Sequence, residues 1–441
     1  MQTTSPSNTP LPTNRSNRIL WKAAITGALI LALMIPTIFI SELVSERKQR
    51  QLEVAREVSS KWAEAQTLSG PFIYLPYLVT QQVKNQLDFT EEKYLIHLPE
   101  SLDVQGTADH EIRKRSIYSV PLYRTQLKTT GSYTITLPKD IDPDAVKWND
   151  AMICYGLTDV KGIEKQLTIL LNDTAIDLSP GLPIRGFVEH GLSAGIPREL
   201  IRSGGEIRFS IDLALKGSEK IHFLPLAGNS RFTLQSDWPS PSFDGNRLPE
   251  TRELSGQGFS AAWSFNKANI PFGTVLKDPA FDVMSMAFGV TMIETADGYA
   301  KTERCIKYAI LFIGLTFTLF FILELFQRNP LHPVQYILVG MALVIFYSLL
   351  LSITEFLQFD LAYAIASLAT ILLISIYAYS HFKNLRTGLL FAAMLSMLYG
   401  FTYVLVQLED TALLVGSIGL FIILAVIMYV SRKINWYGQE P

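Results

Sequence analysis

Six long apolar stretches constrain the fold of this chain more than any other feature. A helix needs about 20 mostly apolar residues to cross the hydrocarbon of a bilayer, because no water is available there to hydrogen-bond its backbone. The stretches that satisfy this condition are residues 19–40, 306–326, 334–356, 361–379, 389–408 and 412–430. We therefore expect six transmembrane helices, with one long segment free of such stretches between the first and the second.

The overall composition agrees with a chain that is partly embedded in lipid. Charged residues make up 18% of the 441 residues and hydrophobic residues make up 49%, whereas soluble domains average about 25% charged residues. The formal net charge of -2 argues against nucleic-acid binding, which requires an excess of positive charge. We expect the lipid bilayer as a partner and no nucleic acid.

Lys and Arg residues in the short loops predict the orientation, because short loops that carry them stay on the cytoplasmic side. The basic residues of the tails and short loops are Arg15, Arg18, Arg328, Lys383, Arg386, Arg432 and Lys433; Lys301, Arg304 and Lys307 close a long segment, where the rule is weak. The other short loops, at residues 358–360 and 409–410, carry acids and no Lys or Arg. This pattern predicts that the tails at residues 1–18 and 431–441 are cytoplasmic and that residues 41–304 are exported.

The first apolar stretch resembles an uncleaved anchor rather than a signal peptide, because it is too long and no small-residue cleavage site follows it. Residues 41–66 are rich in helix formers, and Val54, Val58 and Trp62 recur at four-residue spacing. We expect the anchor to continue as a stalk helix that packs on its own exported domain. A coiled-coil seam is the alternative, but three apolar positions are too few for one.

After the stalk, the pattern changes to short β-branched and aromatic runs separated by Pro, Gly, Asn and Asp, which is typical of strands. The predicted strands are residues 72–80, 94–98, 115–127, 132–137, 151–157, 206–215, 220–226, 230–236, 258–263 and 281–294. Residues 216–219 are predicted to form a hairpin turn. Regularly spaced short strands favour a β-sandwich or two small β-subdomains over residues 67–304, rather than a parallel α/β fold.

Motifs for catalysis and metal binding are weak. Gly191 to Gly195 match G-x-S-x-G, but the nucleophile elbow of a hydrolase requires a strand that leads into a helix, and a His well downstream after an Asp. The surroundings here read as antiparallel strands, so we expect a glycine-rich turn. The exported histidines lack metal-site spacing; they are His97, His110, His190 and His222. We expect no enzyme, no cofactor and no metal.

One loop stands out as a candidate binding surface, because two prolines hold two aromatic residues in a preformed segment. The residues concerned are Trp238, Pro239, Pro241 and Phe243. Such a loop could present its aromatic rings to a peptide, glycan or lipid. The alternative is that the rings only pin the loop to its own sheet.

Four residues of the C-terminal helices are further candidates. Glu324 precedes Arg328 by four residues, which suggests an ion pair at the cytoplasmic rim. Tyr347 could hydrogen-bond between helices. His332 and Pro333 form either a tight turn between helices or a contact for a signalling partner.

Several segments have a recognisable pattern, namely residues 69–71, 229–243, 248–253, 307–311, 331–340 and 435–437. On these segments the chain resembles, over nearly its whole length, the CreD family of cell envelope integrity inner membrane proteins of bacteria. The resemblance implies a periplasmic location for residues 41–304 and a role in envelope integrity or stress response. It implies no reaction and no catalytic residues.

The main hypothesis is therefore a non-enzymatic inner-membrane protein whose exported β domain binds or organises envelope components or another membrane protein. The first alternative is a transporter or flippase-like protein that works through the helix bundle, in which Glu324 and Tyr347 would matter most. The second is a membrane sensor, with His332 as its cytoplasmic contact.

Overall fold

The computed structural model describes residues 15–81, 89–184, 186–202, 205–279, 281–292, 298–327, 331–408 and 411–432. It divides into two compact units. One, called here the β unit, is Gln51–Thr295; the other, called the helical unit, combines Met1–Arg50 with Ala296–Pro441. Three groups of residues discussed above lie outside the described residues, namely most of both tails, Arg328, and the loop at residues 409–410.

Helix α1 runs without interruption over Arg15–Trp62, 48 residues in all, and continues through Pro36. Its first part belongs to the helical unit and its last part to the β unit. Apolar side chains such as Leu31 and Phe39 are 67% and 65% exposed, which suits contact with lipid rather than with water. The helix ends four residues before the predicted end of the stalk, because strand β1 begins at Gln66.

The remaining helices of the helical unit follow the β unit in sequence. They are α3 Gly298–Lys307, α4 Ala309–Gln327, α5 Pro333–Thr354, α6 Phe359–Phe382, α7 Leu385–Gln407 and α8 Ala412–Ser431. The short helix α2, Arg198–Arg202, belongs to the β unit. Among the described residues, five helices are long and apolar enough to cross a membrane, or six if α3 and α4 count as one span.

The second predicted span is not one straight helix. α3 and α4 are separated at Tyr308 and bent by 45°. The sequence of α3 explains the difference, because it carries charges at Lys301, Glu303, Arg304 and Lys307, whereas α4 is almost wholly apolar. An amphipathic helix therefore precedes an apolar one, where the sequence suggested a single span.

The β unit contains the strands of the described chain. They are β1 Gln66–Gln81, β2 Phe89–His97, β3 Ser101–Arg115, β4 Tyr118–Thr134, β5 Met152–Leu157, β6 Thr168–Leu171, β7 Thr174–Asp177, β8 Ser179–Pro180, β9 Gly191–Gly195, β10 Glu206–Ser218, β11 Lys220–Phe223, β12 Asn229–Ser236, β13 Pro241–Gly245, β14 Thr251–Ser255, β15 Gly258–Phe265, β16 Val275–Lys277 and β17 Phe288–Met292. A large β-rich region thus lies between the first apolar helix and the others.

These strands form two sheets. Sheet A has nine strands, with the order β13-β17-β11-β1-β5-β9-β8 and with β2 and β16 added through β1. Sheet B has eight strands in the order β14-β15-β12-β3-β4-β10-β6-β7. Neighbours are antiparallel except for the parallel pairs β1–β11 and β3–β12.

The core of the β unit is made by inward-facing residues of both sheets. Side chains alternate between the two faces of a strand, and β3 follows this rule, with Leu102 and Val104 buried and Gln105 exposed. One hydrophobic cluster includes Ile73 and Phe223 from sheet A together with Val104 and other residues from sheet B. The outward face of sheet B is left polar as a result.

The predicted hairpin at residues 216–219 is wrong. β10 pairs with β4 and β6 in sheet B, whereas β11 pairs with β1 and β17 in sheet A. The segment therefore carries the chain from one sheet to the other. Glu219 has a φ of 61°, and a side chain at Gly217 would collide with the ring of Tyr123, so this turn is shaped by packing that the sequence pattern does not reveal.

Two predicted strands also differ from the structure. The prediction at residues 115–127 missed β3 and placed a strand across the turn at Ser116, where φ is 56° and the chain reverses into β4. β3 was missed because charged side chains occupy its outer face. Its sequence therefore lacks the β-branched and aromatic runs by which the other strands were predicted. The prediction at residues 281–294 covers a short 3-10 helix, Val283–Met286, before β17 begins.

Candidate functional site

One candidate site is a hollow on the outer face of sheet B. The alternation along β3 turns Gln105 and Thr107 outward, and the same rule holds on β4, β10 and β12. These side chains line a hollow of about 870 Å³. A second hollow of about 630 Å³ continues towards β14 and shares Thr107 and Gln235 with the first. We call the two hollows together the polar groove.

The strand register arranges the floor of the polar groove as a grid. Thr233, Gln105, Lys128 and Asp212 lie opposite one another across four neighbouring strands. The next row contains Gln235, Thr107 and Gln126. Side chains that are directly opposite on neighbouring strands stand about 5 Å apart, so the groove presents closely spaced hydrogen-bond donors and acceptors.

The charged side chains of the first hollow are close to balanced. Three cations, Lys128, Lys165 and Arg231, line it together with Asp103 and Asp212. None of the three cations forms an ion pair with any residue in the described ranges. Asp103 accepts a hydrogen bond from Nε2 of Gln105 at 2.8 Å. Most of the hydrogen-bonding capacity of this surface is therefore directed outward.

The Trp238 loop, residues 237–240, carries the chain from β12 in sheet B to β13 in sheet A. Trp238 is only 5% exposed and belongs to the core cluster, and its Nε1 donates a hydrogen bond to the carbonyl of Ser240 at 3.0 Å. Phe243 packs against Phe259 and Trp263, with ring centroids 5.6 Å and 6.1 Å apart. The two aromatic side chains thus pin the loop to the core.

The prolines of this loop are more accessible. Pro239 is exposed and Pro241 is partly exposed. A binding role for Trp238, Pro239, Pro241 and Phe243 stays a prediction, and in this arrangement the prolines rather than the Trp238 ring would provide its surface.

A contact between Asp237 and His110 of β3 also holds the Trp238 loop. Oδ1 of Asp237 accepts a hydrogen bond from the backbone N–H of His110 at 2.8 Å, and Nδ1 of His110 lies 2.7 Å from the same oxygen. Partial burial alone would raise the pKa of Asp237, but these interactions with His110 hold the pKa below its ordinary value. The His110 ring also packs edge-on against Trp238.

His222 and Asp244 form a second polar pair, on sheet A. Nε2 of His222 lies 2.7 Å from Oδ1 of Asp244, and Oδ2 of Asp244 accepts a hydrogen bond from Thr291 at 2.7 Å. Both residues stand opposite Gly289 of the intervening strand β17. Because Gly289 has no side chain, His222 and Asp244 meet across it.

The surroundings of the His222–Asp244 pair set its electrostatics. Burial lowers the pKa of His222, and the contact with Asp244 offsets part of that shift. Thr291 donates to the carboxylate and not to the imidazole, so its hydroxyl is not placed to be activated by His222 in the manner of a nucleophile and its base.

The serine of the G-x-S-x-G match lies in a strand, not in a turn as predicted. Gly191–Gly195 is β9, which pairs antiparallel with β5 and β8. Ser193 is 8% exposed, and its Oγ donates to the carbonyl of Gly181 at 2.7 Å. A side chain at Gly191 would lie 2.4 Å from the carbonyl oxygen of Tyr155, so close strand packing accounts for this glycine.

The four histidines of the β unit named above do not meet in one site. His110 and His222 have the partners given above, and His97 is buried, with 1% of its surface exposed. Within the described ranges, no group of three or more His, Cys, Asp or Glu side chains could hold a metal ion.

The end of α1 carries a cluster that the sequence reasoning missed. Three cations of the β unit lie over the ring of Trp62, with Arg113 at 4.0 Å, Lys216 at 4.7 Å and Arg124 at 5.0 Å from its centroid. One turn earlier, Glu57 pairs with Arg115 at 2.8 Å. These contacts attach the last turns of α1 to sheet B.

In the helical unit, Glu324 is 7% exposed and forms an ion pair with Lys22 of α1. Its other carboxylate oxygen accepts a hydrogen bond from the hydroxyl of Tyr336 in α5 at 3.1 Å. The sequence had suggested Arg328 as the partner, but Arg328 lies outside the described residues. Lys22 serves as the partner because the beginning of α1 lies beside the end of α4, which local spacing in the sequence cannot show.

The other two bundle candidates have simple structural roles. Tyr347 is fully buried between the rings of Phe312 and Phe346, and its hydroxyl has no hydrogen-bond partner in the described part of the chain. The predicted hydrogen bond from Tyr347 between helices is therefore not formed. His332 caps α5, because its Nδ1 accepts from the N–H of Val334 and its own N–H donates to Gln335.

The geometry defines a class of protein: a membrane protein with several apolar helices and a large β-rich region inserted after the first. Residues 18–437 match the family described as inner membrane protein CreD. Inner membrane protein CreD of Escherichia coli (strain K12) is 33% identical over 431 residues, which cover 95% of this chain and 94% of that protein. The chain belongs to the CreD family, and the resemblance noted in its sequence is confirmed.

Proposed function

We propose that this protein supports the integrity of the cell envelope by binding a hydrated envelope polymer through the polar groove, without catalysing a reaction. The observation that carries the proposal is the groove itself, an elongated surface of closely spaced polar side chains, most of which make no hydrogen bond or ion pair within the described part of the chain. The potential catalytic groups are engaged elsewhere, Ser193 by a backbone carbonyl and His222 by Asp244.

The proposal includes a topology. Six spans, with α3 and α4 forming the second, leave both termini in the cytoplasm and residues 41–304 in the periplasm. The loop charges support this orientation. Alkaline phosphatase fused after residue 432 should be inactive, and the same enzyme inserted at the exposed turn after Asn172 should be active. The reverse pattern would exclude a periplasmic groove.

The functional experiment uses a strain that lacks the protein and is complemented with full-length variants. The variant Gln105→Ala/Lys128→Ala/Arg231→Ala removes three outward-facing groups from the groove and no buried ones. We expect it to reach the membrane at the normal level and to fail to restore detergent resistance and low envelope permeability. Lys139→Ala, an exposed lysine outside the groove, is the matched control and should complement fully. Full complementation by the triple variant would show that the groove has no such role.

A second candidate function, transport or signalling through the helix bundle, is favoured by one observation. Glu324 is a buried carboxylate among apolar helices, and ionisable groups in such positions often serve function. If Glu324→Gln abolishes complementation while its fold and its level in the membrane are normal, the activity belongs to the helical unit. If Glu324→Gln complements, the ion pair is structural.

A further inference from the structure

The polar groove has the dimensions of a site for an extended ligand. Its two hollows adjoin at Thr107 and Gln235 and together cross β10, β4, β3, β12, β15 and β14. At the usual spacing of neighbouring strands, six strands correspond to a width of roughly 24 Å. A small metabolite would occupy only part of this length, whereas a polymer could lie along all of it.

Much of the lining consists of neutral side chains that can form hydrogen bonds. Gln105, Gln126 and Gln235 each offer an amide N–H₂ and a carbonyl oxygen, and Thr107 and Thr233 offer hydroxyls. Acetamido groups and sugar hydroxyls present the complementary mixture of donors and acceptors. Carboxylates of the lining, such as Asp212, can accept hydrogen bonds from sugar hydroxyls as well.

The charges argue against a polyanion. Over both hollows, three cations stand against five carboxylates, since Asp109, Asp237 and Glu253 are added at the β14 end. Phosphate-rich polymers and headgroups require an excess of cations. A lipid chain is also a poor match, because Leu127 and Phe259 in the lining are buried in the core and the exposed apolar side chain is Leu254.

We infer that the ligand of the polar groove is a cell-wall glycan built of N-acetylated amino sugars, held by rows of amide, hydroxyl and carboxylate side chains. This inference rests on the proposed function. The described lining offers no exposed aromatic ring on which a sugar could stack, so each sugar is held weakly. Affinity then comes from several sugars bound at once along the groove.

The test is co-sedimentation of the detergent-solubilised full-length protein with purified peptidoglycan sacculi. We expect the wild type to sediment and soluble N-acetylglucosamine oligomers to compete, whereas glucose oligomers of equal length do not. Gln126→Ala/Gln235→Ala should weaken binding about ten-fold, because it removes two polar partners from the grid. Lys139→Ala should bind like the wild type.

Salt provides a second readout. Because the groove lacks an excess of cations, binding should change less than about two-fold between 50 and 200 mM salt, whereas a polyanion site would lose orders of magnitude. A steep salt dependence, equal competition by glucose oligomers, or equal sedimentation of the groove variant would overturn the inference.

The two levels of the hypothesis can fail separately. If the wild type does not bind sacculi but the groove triple variant still fails to restore the envelope, the glycan assignment is wrong and the groove binds another polymer. If the triple variant restores the envelope fully, the proposed function itself is wrong.

Discussion

Lys22 and Glu324 form an ion pair that joins the beginning of α1 to the end of α4, although 302 residues separate them in sequence. The hydroxyl of Tyr336 adds α5 to the same carboxylate. Glu324 is 7% exposed and Lys22 is 41% exposed, so removal of Lys22 acts mainly by leaving the buried Glu324 carboxylate without compensation.

We expect Lys22→Met to lower the free energy of unfolding by about 1–3 kcal/mol, since the partly exposed Lys22 contributes less than a fully buried partner would. Lys22→Met/Glu324→Leu should lose less than the sum of the two single variants, because no buried charge then remains. Unfolding of the full-length protein in detergent, analysed as a double-mutant cycle, measures the difference. Strict additivity would show that the two groups do not interact.

Close packing of α1 on α5 gives a second prediction. A Cβ atom at Gly340 would lie 2.1 Å from Cδ1 of Leu33 and 3.0 Å from Cζ of Phe317. Gly340→Leu should therefore destabilise the helical unit by about 1–3 kcal/mol through overpacking. Melting of the full-length protein in detergent should show a lower midpoint.

The chain offers a control for this effect. Nothing lies within 4 Å of a Cβ at Gly400, so Gly400→Leu should melt at nearly the wild-type temperature. Leu33→Ala/Gly340→Leu should regain part of the loss, because the smaller residue leaves room. Equal melting of Gly340→Leu and Gly400→Leu would contradict the packing described for α1.

The buried position of Trp238 predicts a structural effect of its removal. Trp238→Ala should destabilise the β unit by about 3–5 kcal/mol, as large-to-small changes in cores do, whereas Pro239→Ala at the exposed neighbour should change stability by less than about 0.5 kcal/mol. Unfolding of both variants can be followed by far-ultraviolet circular dichroism, because this signal comes from the backbone and does not depend on Trp238.

The function of the Trp238 loop is tested by a variant that keeps an aromatic side chain at this position. Trp238→Phe preserves most of the packing and should complement the deletion strain. A folded Trp238→Phe that fails to complement would support the binding role predicted from the sequence.

His97 predicts how stability depends on pH. Burial lowers the pKa of His97 to about 4, whereas the unfolded chain has the ordinary value of about 6.5. Below about pH 6.5, His97 becomes protonated in the unfolded state but stays neutral in the folded state. The stability of the folded protein therefore falls as the pH decreases towards about 4. The loss over this window should reach about 3 kcal/mol.

His97→Leu should flatten that dependence. Denaturant unfolding at pH values between 4 and 7 measures it, and Leu95→Ala, a change in a fully buried neighbour, should lower stability by the same amount at every pH. An unchanged slope in His97→Leu would mean that other groups cause the loss.

Ser193→Ala separates a hydrolase from a binding protein. The substitution removes one hydrogen bond to Gly181 and should cost about 1 kcal/mol in stability. Complementation should be complete, because Ser193 is not expected to act as a nucleophile. Loss of complementation by a stable Ser193→Ala protein would revive the catalytic alternative.

The apolar helices could be predicted because their signal is local and long. Twenty consecutive apolar residues allow few interpretations, and α5 to α8 were found near their true positions. β12 was also found, since its alternation is complete within a few residues. β5 was found as a short apolar run, which is buried along nearly its whole length. β3 was missed because exposed charges such as Glu111 and Arg113 interrupt its pattern.

Features that depend on distant parts of the chain could not be predicted. The partner of Glu324 is Lys22, and the outward grid of Gln105, Lys128 and Asp212 exists only once three strands are in register. The Trp238 loop illustrates the opposite case, in which a conspicuous motif has a structural role. An aromatic residue between prolines is visible in the sequence, but whether it faces inward or outward is decided by the two sheets that it connects.

The position of β17 has a consequence for how the protein is made. β17 is the last strand among the described residues, yet it lies inside sheet A, between β11 and β13. Those two strands are not paired directly with each other in the described sheet, so sheet A stays divided until residue 292 has been synthesised. The nascent chain therefore cannot close this domain stepwise from its N-terminal end, and a truncation just before β17 would leave two open strand edges exposed to aggregation.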